Sequence, residues 1–196
     1  MMWQAARGFA RAEGGGYNGA PMILKVSRLG HPVLRKPSEA VPKEAITSPA
    51  IQTFLKDLVE TMREYDGVGI AAPQVHVGKQ IAVIEVHENP RYKDAPAIPL
   101  TYLINPKITA SGREQIVDWE GCLSVEGFRG QVPRAAWVEV EACNEQGRRV
   151  QFRAEGFFAR VVQHECDHLA GKVYLDRMPD LLTLTHLQEF TRYWND

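Results

Sequence analysis

Five consecutive residues, His164-Glu165-Cys166-Asp167-His168, have the types and spacing to hold a metal ion. On an α-helix, positions i and i+4 share a face one turn apart, so two imidazoles at that spacing can reach a common ion. Glu165 then sits about 100° round the helix from His164. From there it can approach a water on the ion without becoming a ligand, which is the mechanical content of the H-E-x-x-H pattern. Phe157, Val161, His164 and His168 fall on one stripe of the same helix, so the ligands lie beside apolar residues, as at the base of a substrate pocket. Cys166 lies about 200° from His164 and should point away from the ion into packing. Gln163 and Asp167 flank the pair and are candidates for hydrogen bonds behind the ligands; a surface ion pair is the plainer reading of Asp167.

A catalytic site of this kind needs about three protein ligands and one open position. Spacing alone leaves the third ligand open. His186 and Glu189 lie downstream, on what reads as a separate helix. Upstream lies Glu120-Gly121-Cys122-Leu123-Ser124, whose cysteine is either a thiolate ligand for a soft or borderline metal or a small buried hydrophobe.

The elements that must carry these residues are partly legible. Ser48 can cap a helix that Pro49 opens, and Ile51, Phe54, Leu55, Leu58, Val59 and Met62 recur at helical steps, with Gly67 just past the end. Gln80 to Val86 and Thr101 to Ile104 read as strands. Val132 to Ala142 and Arg148 to Ala154 read as a hairpin about the turn Asn144-Glu145-Gln146-Gly147, with Cys143 beside the turn and without a visible role. A second helix is predicted over about Phe157 to Leu169, stopped by Gly171, and a third over about Pro179 to Trp194, with Leu181, Leu184, Leu187 and Trp194 on a stripe that packs on the domain. Helices set among hairpin strands predict an α+β fold: one domain of antiparallel or mixed sheets around a central helix, with an N-terminal and a C-terminal helix.

Hydrophobic residues make up 44% and charged residues 24% of the 196, and the net charge is −1, so no broad nucleic-acid footprint is expected. No apolar run reaches the ~18 residues of a membrane span. Three cysteines at unrelated spacings fit a reducing compartment better than a disulfide framework. Residues 1–21, with Arg7, Arg11 and Gly14-Gly15-Gly16, read as a flexible extension or as sequence upstream of a start at Met22, in preference to an organelle presequence. The domain proper is taken as 22–196, with 179–196 its C-terminal helix.

Three motifs now form a set. Gly67-Val68-Gly69-Ile70-Ala71-Ala72-Pro73-Gln74 resembles the G-x-G-x-A-A-x-Q motif of peptide deformylases. Glu120-Gly121-Cys122-Leu123-Ser124 resembles their E-G-C-x-S motif, and Gln163-His164-Glu165-Cys166-Asp167-His168 their Q-H-E-x-D-H motif. The order is the family's, and the likeness runs from about Met22 to Met178, with Gly30-His31-Pro32-Val33-Leu34-Arg35 similar to the family's N-terminal segment. The resemblance implies a metal-dependent hydrolase that removes the N-formyl group from the initiator methionine of nascent polypeptides and releases formate. It assigns the metal to Cys122, His164 and His168, and makes Glu165 the general acid and base. Gln74 and the Leu123 N–H fall at the developing oxyanion, and the backbone near Val68 and Gly69 pairs with the peptide as an added strand. The implied ion is ferrous iron, with zinc, nickel or cobalt able to fill the same ligands.

Val68, Phe157 and Val161 are candidate walls of a slot for methionine; each could equally be plain core. Arg160 is a candidate for its rim, and Arg129 for contacts with peptide carbonyls. The implied partners are N-formylmethionyl nascent peptides at the ribosome, in the cytoplasm, without direct nucleic-acid or membrane binding. Two rivals remain: a general zinc endopeptidase on the same helix, and a nascent-chain or ribosome-binding module without catalysis. Against docking on RNA, Pro179 to Asp196 offers Arg192 as its one basic residue beside Asp180, Glu189 and Asp196.

Overall fold

The computed structural model of the chain describes residues 20–87 and 95–194. The expected extension over 1–21 lies outside them except for its last two residues. Helix α1 (Pro49–Glu64) forms as its sequence demands: the Ser48 hydroxyl accepts from the Ile51 N–H, Pro49 opens the first turn, and the apolar stripe from Ile51 to Met62 is buried. It packs on one face of a five-stranded antiparallel sheet made of β1 (Gly69–Ala71), β2 (Ile81–Val86), β3 (Ile98–Ser111), β6 (Trp137–Cys143) and β7 (Arg149–Glu155), paired in that order. Helix α2 (Gly156–Leu169) covers the other face. Strand β2 therefore has no solvent side. Ile81 and Val83 pack with α1, while Ala82, Ile84 and Val86 pack with α2, which explains why the strand is apolar at every position but Glu85.

A second, three-stranded sheet is built from β4 (Gln115–Cys122), β5 (Val125–Ala135) and β8 (Thr185–His186), with the short helix α3 (Leu187–Tyr193) at its end. Its apolar core joins Cys122, Val125 and Val132 to Val173, Tyr174 and Met178. The fold is α+β, as expected. Among the described residues no helix is long and apolar enough to cross a membrane.

Three expectations are corrected. The hairpin about Gly147 (φ +73°) joins β6 to β7, but Val132 to Ala135 belongs to β5 in the other sheet. Apolar alternation runs straight through the sheet change at Ala136, so period alone hides it. Strand β3 extends well past Ile104: Asn105 (φ +52°) makes a bulge there, and its amide holds the Val41 main chain through both of its polar atoms. The C-terminal helix is much shorter than 179–194. Thr185 and His186 pair instead with Arg129 and Phe128, and the Thr183 hydroxyl accepts from the Gln131 N–H. Of the leucine stripe only Leu184 packs on the domain core; Leu181 and Leu187 are exposed.

Arg63, near the end of α1, donates to both Glu85 oxygens on β2 at 2.8 and 3.0 Å. This pairing, opposed by burial, holds the Glu85 carboxyl below its ordinary value. A depressed carboxylate stabilises the fold above its unfolded pKa and loses that contribution as pH falls through the folded value. The urea midpoint should therefore hold steady for this pair above about pH 4.5 and decline below it, with a shallower decline in Glu85→Gln. An identical acid limb in that variant would assign the loss elsewhere. Arg63 is half-exposed, so the contribution should stay near or below ~1 kcal/mol.

Candidate active site

Cys122 ends β4, and His164 and His168 stand one turn apart on α2, which packs against that sheet through β5. The Cys122 Sγ lies 3.2 Å from His168 Nε2, and His168 Nε2 lies 3.2 Å from His164 Nε2. All three ligand atoms fall within 4.8 Å of one another. One sulfur and two ring nitrogens converging on a point suit a borderline divalent ion. The Ser124 N–H, 3.4 Å from Sγ, favours the thiolate. Burial alone would raise the Cys122 thiol, but the two imidazoles bring it well below its ordinary value. The downstream alternatives are elsewhere: His186 caps α3 with its ring against Phe128, and Glu189 faces Arg192.

Behind the cluster lies a buried polar network, of which the sequence pointed only to Asp167. Glu120, two residues before Cys122 and so on the same face of β4, receives His164 Nδ1 at 2.9 Å. That bond fixes the tautomer in which His164 Nε2 carries its lone pair towards the cluster. Glu120 is in turn held by Arg134 at 2.9 and 3.0 Å and by Arg160 at 2.8 Å. Burial works against the charge, yet His164 and Arg134 keep the carboxyl well below the usual range. Arg134 continues to Asp167, which also binds Arg177. Asp167 thus belongs to this network and not to the surface. Gln163 does something different: its amide bonds the Ala135 N–H and carbonyl, fastening α2 to β5.

Glu165 is buried beside the cluster, and its Oε2 has no hydrogen-bond partner. Burial pushes its carboxyl up to about 7, with His164 and His168 pulling the other way. An unpartnered buried oxygen next to a Cys/His/His cluster fits a site that receives a water and an ion. Gly69 makes the approach possible, since a Cβ there would lie 2.5 Å from Glu165 Oε1. Gln74 is oriented by the Ala71 N–H, which donates to Oε1 at 2.8 Å. Its Nε2 then points at Cys122 Sγ (3.5 Å) and Ser124 Oγ (3.4 Å).

These groups open on a cleft of roughly 490 Å³, part of it open to solvent. Val68, Gly69, Gln74, Cys122, Leu123, Phe157, Val161, His164 and Glu165 all line it. His168 sits beneath the others, fully buried. Arg160 reaches the cleft, but its guanidinium is turned to Glu120 and to the Val132 and Ile116 carbonyls. Arg129 is not among the lining residues: it is buried against Gly121, with its guanidinium 5.8 Å over the Phe190 ring. Trp119, which no motif flagged, adds a wall. Cys166 packs into the core on the far side, where burial pushes its thiol up to about 12, and Cys143 packs against the α1 side.

Comparison with known proteins places this geometry. Residues 23–183 match the polypeptide deformylase family. A peptide deformylase of Bordetella pertussis is 44% identical over 160 residues, covering 82% of this chain and 90% of that protein. Among solved structures, a Met-Ala-Ser-bound class I type b peptide deformylase from Acinetobacter baumannii superposes with a TM-score of 0.79 at 38% identity, covering 81% of this chain and all of the other. A peptide deformylase from Thermotoga maritima does so with a TM-score of 0.71 at 34% identity, covering 81% and 99%.

Proposed function

The chain belongs to the polypeptide deformylase family, and from that premise we propose that Cys122, His164 and His168 hold one divalent ion while Glu165 carries the proton. The reaction is hydrolysis of the N-formyl group on the N-terminal methionine of new polypeptides. New chains at a ribosome in the cytoplasm are the substrates this reading gives the protein. The observation that carries the site assignment is the convergence of Sγ and two Nε2 atoms within 4.8 Å, with the unpartnered Glu165 Oε2 beside them.

Bound there, a divalent ion supplies Lewis acidity and lets water ionise near neutral pH. We assign Fe²⁺ as that ion, with Zn²⁺, Ni²⁺ or Co²⁺ able to occupy the same donors. Glu165 takes the proton from the attacking water and returns it to the departing amine, leaving formate and a free N-terminus. Burial raises its carboxyl, the direction that helps it hold a proton between the two halves of that task. Gln74 Nε2 and the Leu123 N–H donate to the oxygen that gains charge as the formyl carbon turns tetrahedral. Glu120 keeps His164 aimed. Strand β1 is an edge strand, so the peptide groups of Gly69, which face away from β2, are the ones offered to the substrate main chain, while the Val68 carbonyl accepts from the Glu85 N–H at 3.1 Å. Val68, Leu123, Phe157 and Val161 receive the methionine side chain.

The direct test is formate release from formyl-Met-Ala-Ser by metal-loaded protein, run beside an N-blocked peptide that can only be cut internally. Release of formate with the second peptide intact is expected. Internal cleavage would move the assignment to an endopeptidase. Gly69→Ala probes the close approach: a methyl placed 2.5 Å from Oε1 must displace the carboxylate. Misplacing a reacting group by ~1 Å can cost ~10²-fold, so kcat/KM should drop by about that factor with metal content unchanged. Full activity in Gly69→Ala would show that the position of Glu165 is not critical.

A further inference from the structure

The segment Ser27-Arg28-Leu29 lies across the two loops that carry Gln74 and Leu123. The Ser27 N–H donates to the Gln74 carbonyl at 2.7 Å, and its hydroxyl donates to the Pro73 carbonyl at 3.0 Å, an acceptor shared with the His76 N–H at 3.2 Å. Those carbonyls belong to the two peptide planes that flank the Gln74 Cα, so one buried serine holds both. On the other loop, Arg28 Nη1 donates to the Leu123 carbonyl at 2.5 Å, and the Leu29 N–H donates to the Ser124 carbonyl at 2.8 Å. The Leu123–Ser124 plane, which adjoins the plane carrying the Leu123 N–H, is thereby pinned with its carbonyl on Arg28 and its N–H on the Cys122 sulfur. The second guanidinium nitrogen of Arg28 is steadied by Glu126 at 2.9 Å.

We propose that Ser27-Arg28-Leu29 is a positioning clamp that sets the spacing and aim of the two oxyanion donors. The inference rests on the assignment of Gln74 and Leu123 to that role. Donors to a developing oxyanion are effective because they are held in place before charge appears. Here they come from separate parts of the fold: Gln74 follows β1 of the large sheet, and Leu123 lies in the turn between β4 and β5 of the small one. Three consecutive residues take four carbonyls from these two loops, which fixes one loop relative to the other. None of the three touches the reacting atoms; they act through Gln74 and Leu123.

The test uses the full metal-loaded chain and formyl-Met-Ala-Ser. A donor that is displaced but still present should cost less than the ~10²–10³ of a lost one, so Ser27→Ala and Arg28→Met should each lower kcat by about tenfold. KM and metal content should stay unchanged, and Arg28→Lys should recover part of the loss. Arg28 is half-exposed, so its variants keep the test open should Ser27→Ala fail to fold. Gln74→Met is measured in parallel and should lose the full donor effect; on that background Ser27→Ala should have no further effect on kcat. Wild-type kcat in Ser27→Ala and Arg28→Met, beside a slowed Gln74→Met, overturns the clamp and leaves the oxyanion assignment standing. An undiminished effect of Ser27→Ala on the Gln74→Met background also overturns it. Wild-type kcat in Gln74→Met overturns the oxyanion assignment and the clamp with it.

Discussion

Replacing Glu165 by Gln should lower kcat/KM for a formyl-methionyl peptide by at least ~10²-fold while the protein keeps its metal and its fold. The substitution preserves shape: the amide oxygen can stand where Oε1 packs over Gly69, and the amide nitrogen takes the place of Oε2, which lacks a partner. What it removes is the ability to accept a proton from water and release it to an amine. A neutral amide is also cheaper to bury than a carboxylate, so the melting temperature should hold or rise. Loss of turnover without loss of stability or metal separates a proton carrier from a structural carboxylate. Turnover within a few-fold of wild type in Glu165→Gln would remove the residue from the chemistry.

What the sequence disclosed about this site was local, and what it withheld was long-range. The i, i+4 histidines and the glutamate between them could be read because one helix carries all three. Helix α1 was equally plain, since Ser48 and Pro49 mark its start and the stripe to Met62 marks its buried face. The expectation for Cys122 came from resemblance to a motif; spacing alone left it level with a buried hydrophobe, and only the fold brings its sulfur to residues more than 40 positions away. Glu120 sat in view within the same motif without a role, because its partners Arg134, Arg160 and His164 are 14, 40 and 44 residues distant. Alternation on β4 was a usable signal, as it puts positions 120 and 122 on one face. The strand itself escaped detection because Ile116 and Val117 are adjacent and both exposed, so no apolar period marks it. The C-terminal leucines misled for the opposite reason. They keep a helical rhythm, but Thr183 and Thr185 are drawn into contacts with β5 before a helix can include them.

The second large effect is expected at Cys122. Converting it to Ser should strip the ion from the purified protein, with a loss of metal affinity beyond the ~10–100-fold typical of residues that only support a ligand. The argument is one of charge and softness. Two neutral imidazoles contribute no charge, so the thiolate is the only anion in the donor set, and it leaves a 2+ ion with a net charge of about +1. A serine hydroxyl is harder, remains protonated near neutral pH and cannot replace that charge. The surroundings are arranged for sulfur as an anion: the Ser124 N–H and Gln74 Nε2 both point at Sγ, and the adjacent imidazoles draw the thiol well below its ordinary value. Cys166 is the internal control, because its thiol is pushed up to about 12 and packs in the core away from the cluster. Metal analysis with a competing chelator should find one ion per chain in Cys166→Ala and far less than one in Cys122→Ser, with formate release falling in step. Equal stoichiometry and affinity in Cys122→Ser would mean that the third ligand lies elsewhere and that the convergence of Sγ with the two Nε2 atoms serves packing alone.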